Sequence, residues 1–128
     1  MSNTTLVSWA LLTGAIGDFL LQMMVKQGMG QPDGWGLKPY FARHGPAESI
    51  FLAAGMMGLF YAAYVALGLP LNLVWLAVYG ILLDLAFRVF RIFPSLDGYY
   101  QHLNYFWSAV WGAIPLVVPF LLWKKFQK

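Results

Sequence analysis

Four apolar stretches, each long enough to cross the hydrocarbon core of a bilayer, decide what this chain can fold into. They cover residues 5–25, 47–67, 71–91 and 103–123. A spanning helix needs roughly 20 mostly apolar residues. In lipid every backbone N–H and C=O must find a partner inside the protein, and a helix achieves this within one segment. The expected fold class is an all-α integral membrane protein, with four transmembrane helices in an antiparallel up-down bundle. Four spans leave no room for a soluble domain in 128 residues, so one transmembrane domain over residues 1–128 is expected.

Composition supports this class and removes others. Only 10% of the residues are charged and 60% are hydrophobic, with a mean hydropathy of +0.63. A soluble domain is nearer one quarter charged. The absence of cysteine excludes disulfides, thiolate metal sites and cysteine nucleophiles. The net charge of +3 comes from scattered Lys and Arg, so no nucleic-acid partner is implied. Residues 1–4 hold no Lys or Arg and so lack the basic start of a signal peptide, and the first stretch reads as a retained helix.

The connections differ in length. Gly68, Leu69 and Pro70 alone join the second and third stretches, which implies a tight hairpin. The segment before the second stretch is long and rich in Gly and Pro. Its Trp35, Tyr40 and Phe41 are expected at the headgroup level. Pro46 fits the first turn of a helix, where a missing N–H costs nothing. Pro94 is expected to stop the third helix, and Leu96-Asp97-Gly98 reads as a turn. No internal repeat or low-complexity segment is evident. No motif extends far enough to place the chain in a family.

Lys26, Lys38, Arg43, Arg88 and Arg91 fall on the side of the long loops, and Lys124, Lys125 and Lys128 on the side of the termini. The positive-inside rule then puts the long loops in the cytoplasm and both termini outside. The margin is narrow, and a dual-topology homodimer is the alternative.

Each stretch carries small or polar residues at helical spacing. They are Ala10, Gly14, Asp18 and Gln22, with Gly17 beside them; Glu48, Gly55, Gly58, Ala62 and Ala66; Ala77, Gly80, Asp84 and Arg88; and Asn104, Ser108, Gly112, Pro115 and Pro119. Steps of three, four and seven keep residues on one helix face. Close helix packing accounts for the Gly and Ala members. The polar members follow a second pattern. Asp18, Gln22, Glu48, Asp84, Arg88 and Asn104 all fall towards the long-loop side, and all five acids lie in that half or its loops. This asymmetry implies a polar cavity open to the loop side over an apolar floor.

An ionisable residue at membrane depth is costly and is by default a functional candidate. Asp84 and Arg88 are spaced to pair along one face, and Asp18 could share Arg88 with Asp84. Asp18, Gln22, Glu48, Asp84, Arg88 and Asn104 are therefore the expected binding set for a proton, a cation or a small polar substrate. Arg43, His102, Tyr79, Trp111 and Pro115 are expected at the cavity or its entrance. Plainer readings stand beside these: an ion pair that fixes the third helix, Glu48 favoured by a helix N-terminus, and a static bend at Pro115 and Pro119. Gly45-Pro46 breaks the chain between His44 and Glu48, which removes the helical meaning of their spacing. No metal or other cofactor is called for, and the serines show no nucleophilic pattern.

Three function classes follow, in this order: a small transporter or channel, a membrane protein or enzyme with a one-sided pocket for a lipid or small ligand, and a structural subunit. The bilayer is the obligatory partner. Four helices enclose little space, so a homodimer is expected if a substrate is to cross.

Overall fold

The computed structural model describes residues 3–28 and 36–126. Asp33, Trp35 and Lys128, which entered the acid, aromatic and orientation patterns above, lie outside the described residues. Within them the chain is helical, with no strands. In order come α1 (Asn3–Lys26), α2 (Lys38–His44), α3 (Pro46–Ala66), α4 (Leu73–Phe90), a 3-10 turn (Pro94–Leu96), α5 (Asp97–His102) and α6 (Tyr105–Phe126). Four of these, α1, α3, α4 and α6, are long and apolar enough to cross a membrane.

The long helices fall within a few residues of the expected stretches, and local chemistry explains the shifts. Asn72 takes an extended backbone and its side chain accepts from the Trp75 N–H at 2.9 Å, so α4 starts at Leu73. Asn104 accepts from the Trp107 N–H at 2.8 Å and starts α6 at Tyr105. A side-chain oxygen at this position satisfies an N–H that the helix leaves free. The α4 helix ends at Phe90, with Arg91 in the left-handed region at φ 48°. It stops before Pro94, which instead opens the 3-10 turn. Leu96-Asp97-Gly98 does not turn the chain away; Asp97 begins α5.

Packing follows the small residues only in part. The α1 helix packs on α3 and α6, and α4 packs on α6. A Cβ placed on Gly14 would stand 2.5 Å from the Ala53 carbonyl oxygen, and one on Gly80 would stand 2.6 Å from that of Gly112. At both crossings only glycine lets the backbones meet, as association in lipid requires. Gly17 and Gly55, by contrast, face open space. Glu48, Ala62 and Ala66 are exposed, and the face that α3 buries carries Ser49, Met57, Gly58, Tyr61 and Tyr64. Its true stripe is thus rotated from the one expected. The large buried Tyr side chains set that rotation.

One buried cluster joins the four long helices through Leu6, Ala10, Met57, Tyr61, Tyr64, Leu76, Leu116 and Phe120. The Tyr61 hydroxyl donates to the Leu116 carbonyl and accepts from the Phe120 backbone N–H. It thereby meets α6 beside Pro115 and Pro119, where the helix lacks backbone donors. Between α3 and α4 the link runs through rings: Tyr79 donates to the Phe60 carbonyl at 2.7 Å, and Phe60 meets Phe87 at 5.9 Å. Phe51, Phe90 and Val74 face outward, at 77%, 76% and 71% exposure. Surfaces of that kind suit hydrocarbon and not water.

Candidate functional site

The polar residues of the spans settle into two separate clusters. In the first, Ser49 on α3 donates to both oxygens of Asp18 on α1, at 2.8 Å each. Gln22, one turn further along α1, donates to Asp18 Oδ2 at 2.6 Å and to the Pro46 carbonyl at 3.1 Å. Asp18 is only 8% exposed and Ser49 is fully buried. Ser49 and Gln22 both donate to the carboxylate, which offsets the cost of holding it away from water. Tyr40 on α2 covers this cluster and hydrogen-bonds Ser49. Its own hydroxyl is pushed above the usual tyrosine range, chiefly by burial, against that hydrogen bond and with smaller help from the Asp18 and Glu48 charges.

In the second cluster, Ser108 on α6 donates to Asp84 on α4. Tyr99 and Tyr100 of α5 lie close enough to feel the Asp84 charge. Burial, then that charge, pushes the Tyr99 hydroxyl up to about 12, and the same two causes raise Tyr100 further.

Arg88 joins neither acid in an ion pair among the described residues. The expected Asp18–Arg88–Asp84 cluster is therefore not assembled. Asp18 and Asp84 each take a serine from the partner helix, and Arg88 turns to aromatic faces. Its guanidinium lies 4.1 Å from the Tyr105 ring centre and 5.9 Å from that of Tyr100. Its Nη1 is buried with no hydrogen-bond partner among the described residues. A pocket of about 440 Å³ opens here, lined by Arg88, Arg91, Asp97, Tyr100, Gln101 and Tyr105. Arg91 is held by Asp97 through Nε to Oδ1 at 3.3 Å and Nη2 to Oδ2 at 2.5 Å. The hydrogen bond and charge of Asp97 make Arg91 hold its proton more firmly than usual.

The other expected site residues are placed elsewhere. Glu48 is exposed and meets His44 Nδ1 at 2.8 Å. The chain break at Gly45-Pro46 does not separate this pair, contrary to the expectation above. Gly45 at φ 70° bends the chain so that α3 starts directly beside the end of α2. His44 Nε2 also approaches Ser95 Oγ at 3.4 Å, which ties the two long connections together. Asn104 caps α6. Tyr79 bonds the Phe60 carbonyl, Trp111 faces outward at 53% exposure, and Pro115 lies in the body of α6. Arg43 and His102 are exposed. Of the whole set, Arg88 alone lines the pocket.

Sequence reasoning missed Ser49 as a partner of Asp18, and it gave Ser108 only a packing role. The available signal was position: each serine stands in the first turn of a long helix, facing the end of the helix that carries an acid. It also missed Arg91, Tyr100 and Tyr105 as the surroundings of Arg88. In comparisons with known proteins, no family model, curated protein or solved structure matches the chain.

Proposed function

We propose that the chain is a single-domain, four-span membrane protein that holds the anionic headgroup of an amphiphile at the loop end of α4 and α6. Its long helices run antiparallel, with the long loops in the cytoplasm. The observation that carries this reading is the environment of Arg88. Its charge is partly buried, makes no ion pair with Asp84 although the two lie close enough to feel each other, and rests on the Tyr105 ring beside Arg91, Tyr100 and Gln101. A cation on an aromatic face gains about 0.5–2 kcal/mol, and the guanidinium, with no carboxylate within ion-pair distance, has donor capacity left for an anionic oxygen. Asp97 balances only one of the two guanidinium groups. Val89, Phe90 and Phe106, all more than 60% exposed, border the same end of α4 and α6 and would carry the apolar tail.

The test is thermal unfolding of the detergent-solubilised protein with added lipid. Phosphatidylglycerol should raise the midpoint and phosphatidylcholine should not, because a ligand stabilises only the state that binds it. Soluble glycerol phosphate, tested alongside, separates headgroup recognition from capture of a whole lipid. Equal shifts with both lipids, or a shift that survives Arg88→Ala, would refute the reading.

A second reading, proton- or cation-coupled transport, draws on Asp18, a carboxylate 8% exposed within a helix of spanning length. Loss of pH-driven flux in proteoliposomes by an Asp18→Asn protein, with flux retained by a Ser49→Ala protein of similarly lowered midpoint, would favour transport.

A further inference from the structure

The two clusters share more than a carboxylate and a serine. Moving α1 forward by 66 positions (84 less 18) lays Trp9 on Trp75, Ala10 on Leu76, Gly14 on Gly80, Asp18 on Asp84 and Gln22 on Arg88. Moving the following segment forward by 59 (108 less 49) lays Leu37 on Leu96, Tyr40 on Tyr99, Ser49 on Ser108 and Ala54 on Ala113. The same shift lays Met57 on Leu116 and Tyr61 on Phe120.

The contacts repeat with the residues. A Cβ on Gly14 would meet the Ala53 carbonyl oxygen at 2.5 Å and Ala54 Cα at 3.0 Å. A Cβ on Gly80 would meet the Gly112 carbonyl oxygen at 2.6 Å and Ala113 Cα at 3.0 Å, at the equivalent atoms. One turn along, Ser49 holds Asp18 and Ser108 holds Asp84. Beside each carboxylate lies the tyrosine of a short helix, Tyr40 on α2 and Tyr99 on α5. Met57 and Leu116, and Tyr61 and Phe120, are buried at equivalent points of the core.

We infer that the chain is an internal duplication of one helix–short helix–helix unit, α1–α2–α3 and α4–α5–α6. The acid–serine latch is the structural element common to both copies. Ligand binding is confined to the second copy, where Arg88 stands at the position that Gln22 holds in the first. The last statement rests on the headgroup reading of Arg88; the duplication does not. Gln22 closes the first copy by bonding both Asp18 and the Pro46 carbonyl. Arg88 makes no such pair of bonds; it rests on the Tyr105 and Tyr100 rings and lines the pocket of about 440 Å³. The two copies thus divide one inherited design into a locked half and an open half.

The closing experiment measures unfolding midpoints of full-length variants, with and without phosphatidylglycerol. Ser49→Ala and Ser108→Ala each remove one latch hydroxyl while leaving the small-residue crossings intact. Each should lower the midpoint by roughly 3–6 °C, and by similar amounts. Asp18→Asn and Asp84→Asn should follow the same pairing. Arg88→Gln places in the second copy the residue of the first. It should unfold at the wild-type midpoint yet lose the lipid-induced shift. A large loss for one serine and none for the other would overturn the duplicated latch. A fall for Arg88→Gln as deep as that for Ser108→Ala would show that Arg88 belongs to the latch, and would overturn the division of roles. A wild-type protein that ignores the lipid would refute the headgroup reading and with it the division of roles, and the serine pair would still decide the duplication.

Discussion

Gly14→Ala is the most informative single change in α1, because Gly17→Ala beside it should have the opposite sign. A methyl group at position 14 would stand 2.5 Å from the Ala53 carbonyl oxygen, 2.9 Å from its carbon and 3.0 Å from Ala54 Cα, whereas ordinary contact begins at 3.4 Å. All three atoms belong to the backbone, so no side chain can swing aside. The two helices must separate by about 1 Å at that point. Overpacking of this kind costs about 1–3 kcal/mol. Alanine returns about 0.5–1 kcal/mol of helix preference. The net expectation is a loss of up to roughly 2.5 kcal/mol, more if the separation also lengthens the 2.8 Å Ser49–Asp18 contacts one turn away. At position 17 nothing lies within 4 Å, so only the gain remains. Unfolding of the two variants in the same detergent, followed by near-ultraviolet circular dichroism, should separate their midpoints by several degrees. If Gly14→Ala unfolds at or above the temperature of Gly17→Ala, the close α1–α3 approach described here is wrong.

Two further outcomes follow. Tyr61→Phe removes the buried hydroxyl that bonds the α6 backbone at Leu116 and Phe120 and should lower stability by about 1 kcal/mol; thermal unfolding reads the change. Tyr99, pushed up to about 12 by burial and by the Asp84 charge, keeps its proton in the fold after an unfolded chain has released it near 10. Its raised value means that stability is fully present below pH 10 and is lost as pH rises from about 10 to about 12. Comparing the alkaline unfolding of wild type and Tyr99→Phe measures this, and the variant should decline less steeply between pH 10 and about 12, the rest of the decline belonging to other raised tyrosines such as Tyr40 and Tyr100.

Much of the helical framework was legible because apolar length is a strong signal. The four long helices and the gathering of polar groups at one end required only hydropathy and helical spacing. The partners of the acids did not follow, because spacing within one helix favours neighbours on that helix. Asp84 and Arg88 looked like a pair for this reason, yet Ser108 on another helix holds the acid. The face of α3 was misjudged because Gly and Ala were taken to mark contact, while Tyr61 and Tyr64 proved to be the buried residues. The duplication escaped notice for a different reason. Its matches are sparse, and the displacement changes from 66 to 59 between the first long helix and the rest of the unit, so no single shift aligns the halves. The equivalence is carried by contacts more than by letters.

The meeting of the two long connections has a mechanical consequence. A Cβ on Gly36, which sits at φ 81°, would come within 2.5 Å of the Gly98 carbonyl oxygen and of the Tyr99 nitrogen. Tyr40 and His44 meet Phe93, and His44 approaches Ser95. The segments 36–44 and 93–99 are therefore packed against each other. A headgroup that displaced Tyr100 or Gln101 would push on α5, and through it on α2, on the His44–Glu48 contact and on the start of α3. The pocket at Arg88 and the Asp18 cluster are thus joined by one continuous run of contacts, through α5, α2 and the start of α3.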